Sequence, residues 1–250
     1  MKRLTKMINI VIPMAGAGSR FALSGFDKPK PLIDILGKPM IQWVVENLNI
    51  KLKHRFIFIC QAAHQEKYHL DSELKNIAKE STVIGINGLT QGAAATILFS
   101  ADLIDNDSPL LIANSDQYVE FNLDAFVDSI QQKDVDGSIL TMTSNDEKWS
   151  YIKYDQNKLV TEVREKEVIS NEATVGIYAF KKGKDFVKGA REMIRNNEKV
   201  KGEYYVAPVY NKLIANGSKI FFTNIGFDTE QMNGLGTPED LALFIKKMQK

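Results

Sequence analysis

One stretch near the beginning constrains the rest of the chain. Ile8-Asn9-Ile10-Val11-Ile12 runs directly into Pro13-Met14-Ala15-Gly16-Ala17-Gly18-Ser19-Arg20-Phe21. An apolar, β-branched run of this kind reads as a buried strand. Pro13 cannot donate to a ladder, so the strand stops there. The small residues that follow let backbone N–H groups approach a ligand closely. Glycine also permits the positive-φ turns that aim successive N–H groups one way. Arg20 adds a rigid fork of donors suited to phosphate. A second cationic stretch follows, Lys28-Pro29-Lys30-Pro31-Leu32. A glycine loop with Arg and Lys converging on it suits a triphosphate. An ordinary strand-to-loop turn with a surface arginine has the same local composition.

Two common phosphate loops are excluded. The dinucleotide fingerprint requires a third glycine where Phe21 stands, and no Gly-Lys-Ser or Gly-Lys-Thr closes the loop as in a P-loop. Three pieces in order carry a resemblance instead. They are the run from Met14 to Phe21, the run from Lys28 to Asp34 (Lys-Pro-Lys-Pro-Leu-Ile-Asp), and Gly37-Lys38-Pro39-Met40-Ile41. Together they resemble the A-x-G-x-G-x-R, P-K-P-L and G-K-P-x-I signatures of the nucleotidyltransferases that make sugar nucleotides. The resemblance covers nearly the whole chain and is strongest from Met7 to Leu48. It implies a Rossmann-like, three-layer α/β/α fold with a mixed sheet, of glycosyltransferase-A-like architecture.

Composition narrows the function classes. A net charge of +1 gives no basic field for nucleic acid. With 250 residues, 44% hydrophobic and 25% charged, the chain can bury a large core in a soluble globular fold. Cys60 is the only cysteine, which rules out an internal disulfide and a cysteine zinc cluster. It lies in an apolar strand, as a buried thiol would. No stretch reaches the length of a membrane span. The basic segment Met1-Lys2-Arg3-Leu4-Thr5-Lys6 leads into the first core strand rather than forming a signal peptide, which suits a cytoplasmic enzyme.

Strands are expected at Arg55 to Cys60, Thr82 to Ile86 and Pro109 to Ala113. Helices are expected after Pro39, over a stripe from Ala62 to Lys79, and from Ala93 to Leu103. This alternation predicts a parallel sheet covered on both faces, with ligands beyond the carboxyl ends of its strands. Gly16, Gln61, Gly88 and Asp116 all follow strand ends. In the second half, strands are expected at Ser138 to Thr143, Tyr151 to Asp155, Leu159 to Val163, Val175 to Phe180 and Lys219 to Thr223. Helices are expected at Lys184 to Asn196 and Pro208 to Asn216. A last helix is capped by Thr237, with Pro238 in its first position. With no repeat or linker, residues 1–250 read as one domain: a nucleotide half to about residue 135 and an acceptor half from about 136.

Asp116 follows a strand of core character. A carboxylate there can hold Mg²⁺ against phosphate oxygens, or can cap the segment near Asn122. The resemblance favours the metal. It also implies nucleotide contacts from Met14, Ala15, Gly16, Ala17, Gly18 and Ser19, and base contacts from Gln91 and Gly92, which Gln61 and Gly88 could join. Gln91 equally suits a polar helix start. Glu162 to Glu167 is a mixed-charge run of the kind that usually forms a solvated face. By resemblance, its Glu165 binds acceptor hydroxyls and Lys166 the acceptor phosphate, with Asn171 and Gly176 following. His64 and His69 are five apart and do not share a helical face, so no zinc site is assigned. Trp43 reads as core.

The chain departs from the family at several points. Gly234 stands where relatives carry a second metal-binding Asp, leaving Asp228 as the nearest substitute. Ser115 and Ser150 stand where glycines are usual, and Glu167 replaces a proline. Ser115 and Ser150 fall where the acceptor sits, so the acceptor need not be a common hexose phosphate. No left-handed helix repeat follows the last helix, so a second acetyltransferase activity is not expected.

The implied activity is Mg²⁺-dependent transfer of NMP from an NTP, with release of pyrophosphate. Arg20 and Lys30 are its catalytic cations. The nucleotide is a pyrimidine (CTP, UTP or dTTP). The acceptor is a sugar 1-phosphate for capsule or lipopolysaccharide, or a non-sugar phosphate such as phosphocholine. No nucleic-acid or membrane partner is expected; the exposed ends of such sheets often form homodimers. A regulatory module that binds nucleotide without chemistry is the alternative of another class.

Overall fold

The computed structural model of the chain describes residues 6–132 and 134–249. The basic segment from Met1 to Thr5 lies outside the described residues.

Nine strands form the main sheet. Ile8–Pro13 lies at its centre, parallel to His54–Gln61 on one side and to Leu110–Ala113 on the other, and Ser81–Ile86 adds in parallel beyond His54–Gln61. Side chains alternate across this sheet. Ile8, Ile10 and Ile12 join one core with Phe56, Phe58 and Cys60, while Val11 joins the other with Ile57 and Ile59. Burial on both faces is why these strands read as continuous apolar runs. The helices Met40–Asn47, Leu123–Gln132 and Pro238–Met248 cover the first face. Ala93–Ile97, Gly183–Arg195 and Val209–Ala215 cover the second. The chain is thus a three-layer α/β/α molecule with a mixed sheet, as expected.

The antiparallel part opens a fork. Glu172–Phe180 pairs along one edge with Gly137–Thr143, which carries Ile220–Phe227 beyond it. Its other edge is divided. Ile177 to Phe180 pair with Leu110–Ala113, while Ala173 pairs with Tyr151 of the Ser150–Tyr154 and Val160–Glu165 hairpin. The division falls at Gly176, whose φ of +77° only glycine adopts easily. A Cβ there would stand 2.2 Å from Asn114 Nδ2 and 2.4 Å from Gln117 Oε1. The carboxyl end of Leu110–Ala113 therefore opens toward the hairpin.

Three local expectations are corrected. The stripe from Ala62 to Lys79 is two helices, Ala62–Lys67 and Leu70–Ile77, divided at His69 with φ of +50°. The expected Ala93 to Leu103 helix is Ala93–Ile97, a 3₁₀ turn Leu98–Ser100 and Ala101–Ile104. Leu123–Gln132 is a helix the pattern reading passed over, although Leu123, Phe126, Val127 and Ile130 lie at helical spacing. Thr237 caps the last helix as expected, its hydroxyl accepting from Asp240 N at 3.1 Å.

Candidate active site

Loops leaving the parallel strands meet in a cleft of about 260 Å³. The glycine loop forms one wall. Its start is pinned by Met14 N donating to Ile59 O at 2.8 Å, and its middle by Gln61 Nε2 donating to Ala15 O at 3.0 Å. Gln61 thus spends its amide N–H on the loop. Gly16 and Ala17 are exposed at the cleft, and Lys30 reaches in from below.

Lys30 Nζ donates to Asp116 Oδ2 at 2.7 Å, and both side chains are about three-quarters buried. Asp116 is set at this point by the antiparallel ribbon of Gln117–Val119 with Met232–Gly234, and its carbonyl accepts from Leu235 N at 2.8 Å. The sequence separates these two charges widely, and the fold makes them one unit. Arg20 stands exposed on the short helix Ser19–Leu23. Its guanidinium makes no hydrogen bond or ion pair among the described residues, so it is free to meet a ligand.

The opposite wall is a backbone clamp. Gly92 has φ of +116°, and a Cβ on it would stand 2.5 Å from Tyr204 O. Tyr204 N donates to Gln91 O at 2.7 Å, and Ala94 N donates to Tyr204 O at 3.0 Å. Glu203 is carried with this segment and lines the cleft beside Leu89, Thr90 and Ala93. Gly88 and Gln91 are exposed in the same loop. Glu203, Tyr204 and Tyr205 were not among the residues expected from the sequence. Lys201-Gly202 before them is a turn signal, but nothing local ties that turn to Gly92.

Tyr205 leads to the second cluster. Lys166 Nζ donates to Tyr205 Oη at 2.6 Å and lies 4.7 Å from the ring centroid. Lys166 N donates to Trp149 O at 3.0 Å, and Trp149 Nε1 donates to Asp228 Oδ2 at 3.0 Å. Glu165 ends its strand buried rather than on a solvated face, and the Ser150 hydroxyl donates to its Oε2. Burial raises the Glu165 carboxyl above its ordinary value, against the Ser150 hydrogen bond and the Lys166 charge; Glu203 pushes it further up. Gly176 marks the fork beside Asn114. Asn171 is exposed, and the contact it makes is through its carbonyl, which accepts from Ser144 N at 3.1 Å.

A divalent metal has one clear ligand here. Among the described residues no three His, Cys, Asp or Glu side chains are grouped to hold an ion. Mg²⁺ needs less, since one or two carboxylates suffice when substrate phosphates and water complete its shell. Asp116 fits this: a Cβ on Gly236 would stand 2.8 Å from its Oδ2, so the glycine leaves room beside the carboxylate. At Gly234 a Cβ would stand 3.3 Å from Asp240 Oδ2, so a carboxylate there would crowd Asp240. Asp228 accepts from the Trp149 indole, within the second cluster. Among the described residues His64 and His69 are not grouped with other ligating side chains to hold an ion, and Trp43 packs edge-on against Phe244 of the core.

The sequence model of the nucleotidyl transferase family matches residues 10–221. The chain belongs to the nucleotidyl transferase family. It is 24% identical over 256 residues to the bifunctional protein GlmU of Thermodesulfovibrio yellowstonii, covering 97% of this chain and 52% of that protein. It is 25% identical over 174 residues to the mannose-1-phosphate guanylyltransferase catalytic subunit beta of Drosophila melanogaster, covering 68% of this chain and 47% of that protein. The chain thus spans about half the length of these curated relatives. A nucleoside-diphosphate-sugar pyrophosphorylase structure from Vibrio cholerae superposes with a TM-score of 0.81 at 23% identity, covering 95% of this chain and 99% of that one. The inositol-1-phosphate CTP transferase of T. maritima superposes with a TM-score of 0.75 at 14% identity, covering 98% and 97%. These likenesses agree on the nucleotidyltransferase fold. No helix among the described residues is long and apolar enough to cross a membrane.

Proposed function

We propose that the chain transfers a nucleoside monophosphate from an NTP to a small phosphorylated acceptor, a sugar 1-phosphate in the first instance, and releases pyrophosphate. The observation that carries this reading is Lys30, paired with Asp116 and lining a cleft that is walled by the glycine loop and continues through Tyr204 and Tyr205 to Lys166. Two cationic positions joined by one segment suit a reaction between two polyanions. An acceptor phosphate oxygen attacks the α-phosphorus in line. The bond from that phosphorus to the bridging oxygen breaks, and its electrons leave with pyrophosphate. No covalent enzyme intermediate is needed; positioning and charge neutralisation carry the rate.

In this reading the loop amides and Arg20 hold the β- and γ-phosphates, Lys30 meets the α-phosphate, and Lys166 the acceptor phosphate. Gln91, Gly92 and Gly88 bound the base, and Glu165 accepts from the acceptor's hydroxyls. Asp116 would hold Mg²⁺, which when bound supplies charge neutralisation on the phosphates. The base is a pyrimidine, and the product is a cytoplasmic precursor for capsule or lipopolysaccharide. The printed names of the relatives include a guanylyltransferase and a CTP transferase, so the base is the first thing to measure. A homodimer is the proposed assembly.

The test is pyrophosphate release with Mg²⁺, crossing CTP, UTP, dTTP, ATP and GTP against sugar 1-phosphates, phosphocholine and other small phosphorylated alcohols. Release with one pair identifies base and acceptor together. The absence of a carboxylate at Gly234 favours one rival, a module that binds nucleotide without chemistry. Thermal stabilisation by an NTP with silence across the grid would support that rival instead.

A further inference from the structure

The cross-strand pair Ser150–Glu165 carries an inference about acceptor choice that rests on the transferase reading. Ser150 and Glu165 are direct partners in the hairpin register, 7% and 9% exposed. A carboxylate offers two oxygens, and a vicinal diol can use both, one hydroxyl to each. Here Oε2 already accepts from the Ser150 hydroxyl, while Oε1 has no hydrogen-bond partner among the described residues. Two further contacts keep this arrangement rigid. Trp149, beside Ser150, is held by its indole on Asp228 and by its carbonyl on Lys166 N.

We propose that Ser150 is a positioning residue that sets acceptor preference. By occupying Glu165 Oε2 it leaves one carboxylate oxygen for the acceptor. Among sugar 1-phosphates and other phosphorylated acceptors, the site therefore favours one that offers a single hydrogen-bond donor at this point over one that offers a vicinal diol. Ser150 touches no reacting atom and acts through Glu165. The groups around that carboxyl are Lys166, Lys201 and Glu203, with the Tyr178 hydroxyl also within its field. Ser150 is the group that hydrogen-bonds Glu165, and that bond works against the rise that burial causes. Its removal therefore has a readout separate from packing.

The experiment compares the unaltered chain with Ser150→Ala and Ser150→Gly. Acceptor kcat/KM is measured by pyrophosphate release for hexose 1-phosphates and for phosphorylated alcohols with one hydroxyl or none. Ser150→Ala frees Oε2 with little change of volume, and Ser150→Gly also clears the space above it. Both variants should move the preference toward hexose 1-phosphates by about tenfold or more, the worth of one hydrogen bond to a charged group. The change should lie in acceptor KM more than in kcat. The acid limb of the acceptor KM profile should move to higher pH as the carboxyl loses its donor. An unchanged preference and an unchanged acid limb in both variants, with turnover intact, overturns this inference alone. Silence of the unaltered chain against every pair overturns the transferase reading and this inference with it. A variant that fails to fold is recognised by its melting curve, and the other variant then decides.

Discussion

The two ends of the site are built differently. On the side proposed for the nucleotide the walls are backbone: the glycine loop pinned by Ile59 O and Gln61, and the clamp between Gly92 and Tyr204. One ion pair, Lys30–Asp116, lies between them. On the side proposed for the acceptor the polar groups are side chains bound to one another: Ser150 to Glu165, Trp149 to Asp228, and Lys166 to Tyr205. The nucleotide side offers a ligand N–H groups and the exposed guanidinium of Arg20. On the other side Lys166 and Glu165 Oε2 already have partners, and Glu165 Oε1 has none among the described residues. A backbone cradle suits any triphosphate, whereas side chains that already hold one another discriminate, because any partner displaced must be replaced.

The largest expected effect lies on the nucleotide side. Lys30→Ala removes the proposed contact to the α-phosphate and leaves Asp116 without its ion pair. The kcat for pyrophosphate release should fall at least tenfold, about 1.4 kcal/mol of barrier. Arg20→Ala should cost a similar factor with an unchanged melting temperature, because the side chain bonds to nothing among the described residues. Near-normal turnover in either variant would break the division of roles. Next comes Gly92→Ala. It places a Cβ against Tyr204 O at a φ that other residues rarely adopt. Strain of about 1–3 kcal/mol should lower the melting temperature by several degrees and loosen the join between the two sides. Differential scanning calorimetry checks this.

Two smaller effects sharpen the contrast. Tyr205→Phe keeps the ring under Lys166 and deletes the hydroxyl. Acceptor KM should rise several-fold with the NTP KM unchanged. A fall in acceptor KM would instead mean that the hydroxyl competes with the acceptor for Lys166. For Glu165 the sign follows from burial, which raises its carboxyl. The proton is therefore held to a higher pH than in an exposed glutamate. Acceptor KM should rise on acidification before ordinary carboxylates titrate, and Glu165→Gln should flatten that limb. For stability the same shift favours the fold when Glu165 is protonated, and that contribution fades as pH climbs through the raised value. The smallest effect concerns Cys60, whose thiol is pushed up to about 11, first by burial and then by the Asp71 charge. Iodoacetamide at pH 8 should leave the native chain unmodified and label it in urea.

The two sides also differ in how far they were readable beforehand. The glycine loop and Asp116 are carried by local residue types at strand ends and Lys30 by the Lys-Pro-Lys-Pro run, and the fold pairs Lys30 with Asp116 beside the loop. Glu165 lay in a charge run whose usual meaning is a solvated face, yet it is buried. Its strand pairs with Ser150–Tyr154, and that pairing turns Glu165 inward against Ser150. Glu203 and Tyr205 had no signal of their own. Their place depends on the Tyr204 backbone docking on Gly92, a contact between segments far apart in the chain.

The sequence by itself determined the parallel core and the glycine loop, because strand periodicity, glycine and proline act within a few residues of where they stand. Only the tertiary structure decided which side chains share a carboxylate, a hydroxyl or an indole. Those pairings depend on strand register and on the fork at Gly176, where one strand divides its edge between two neighbours. Register is a property of two segments at once, and neither segment states it alone.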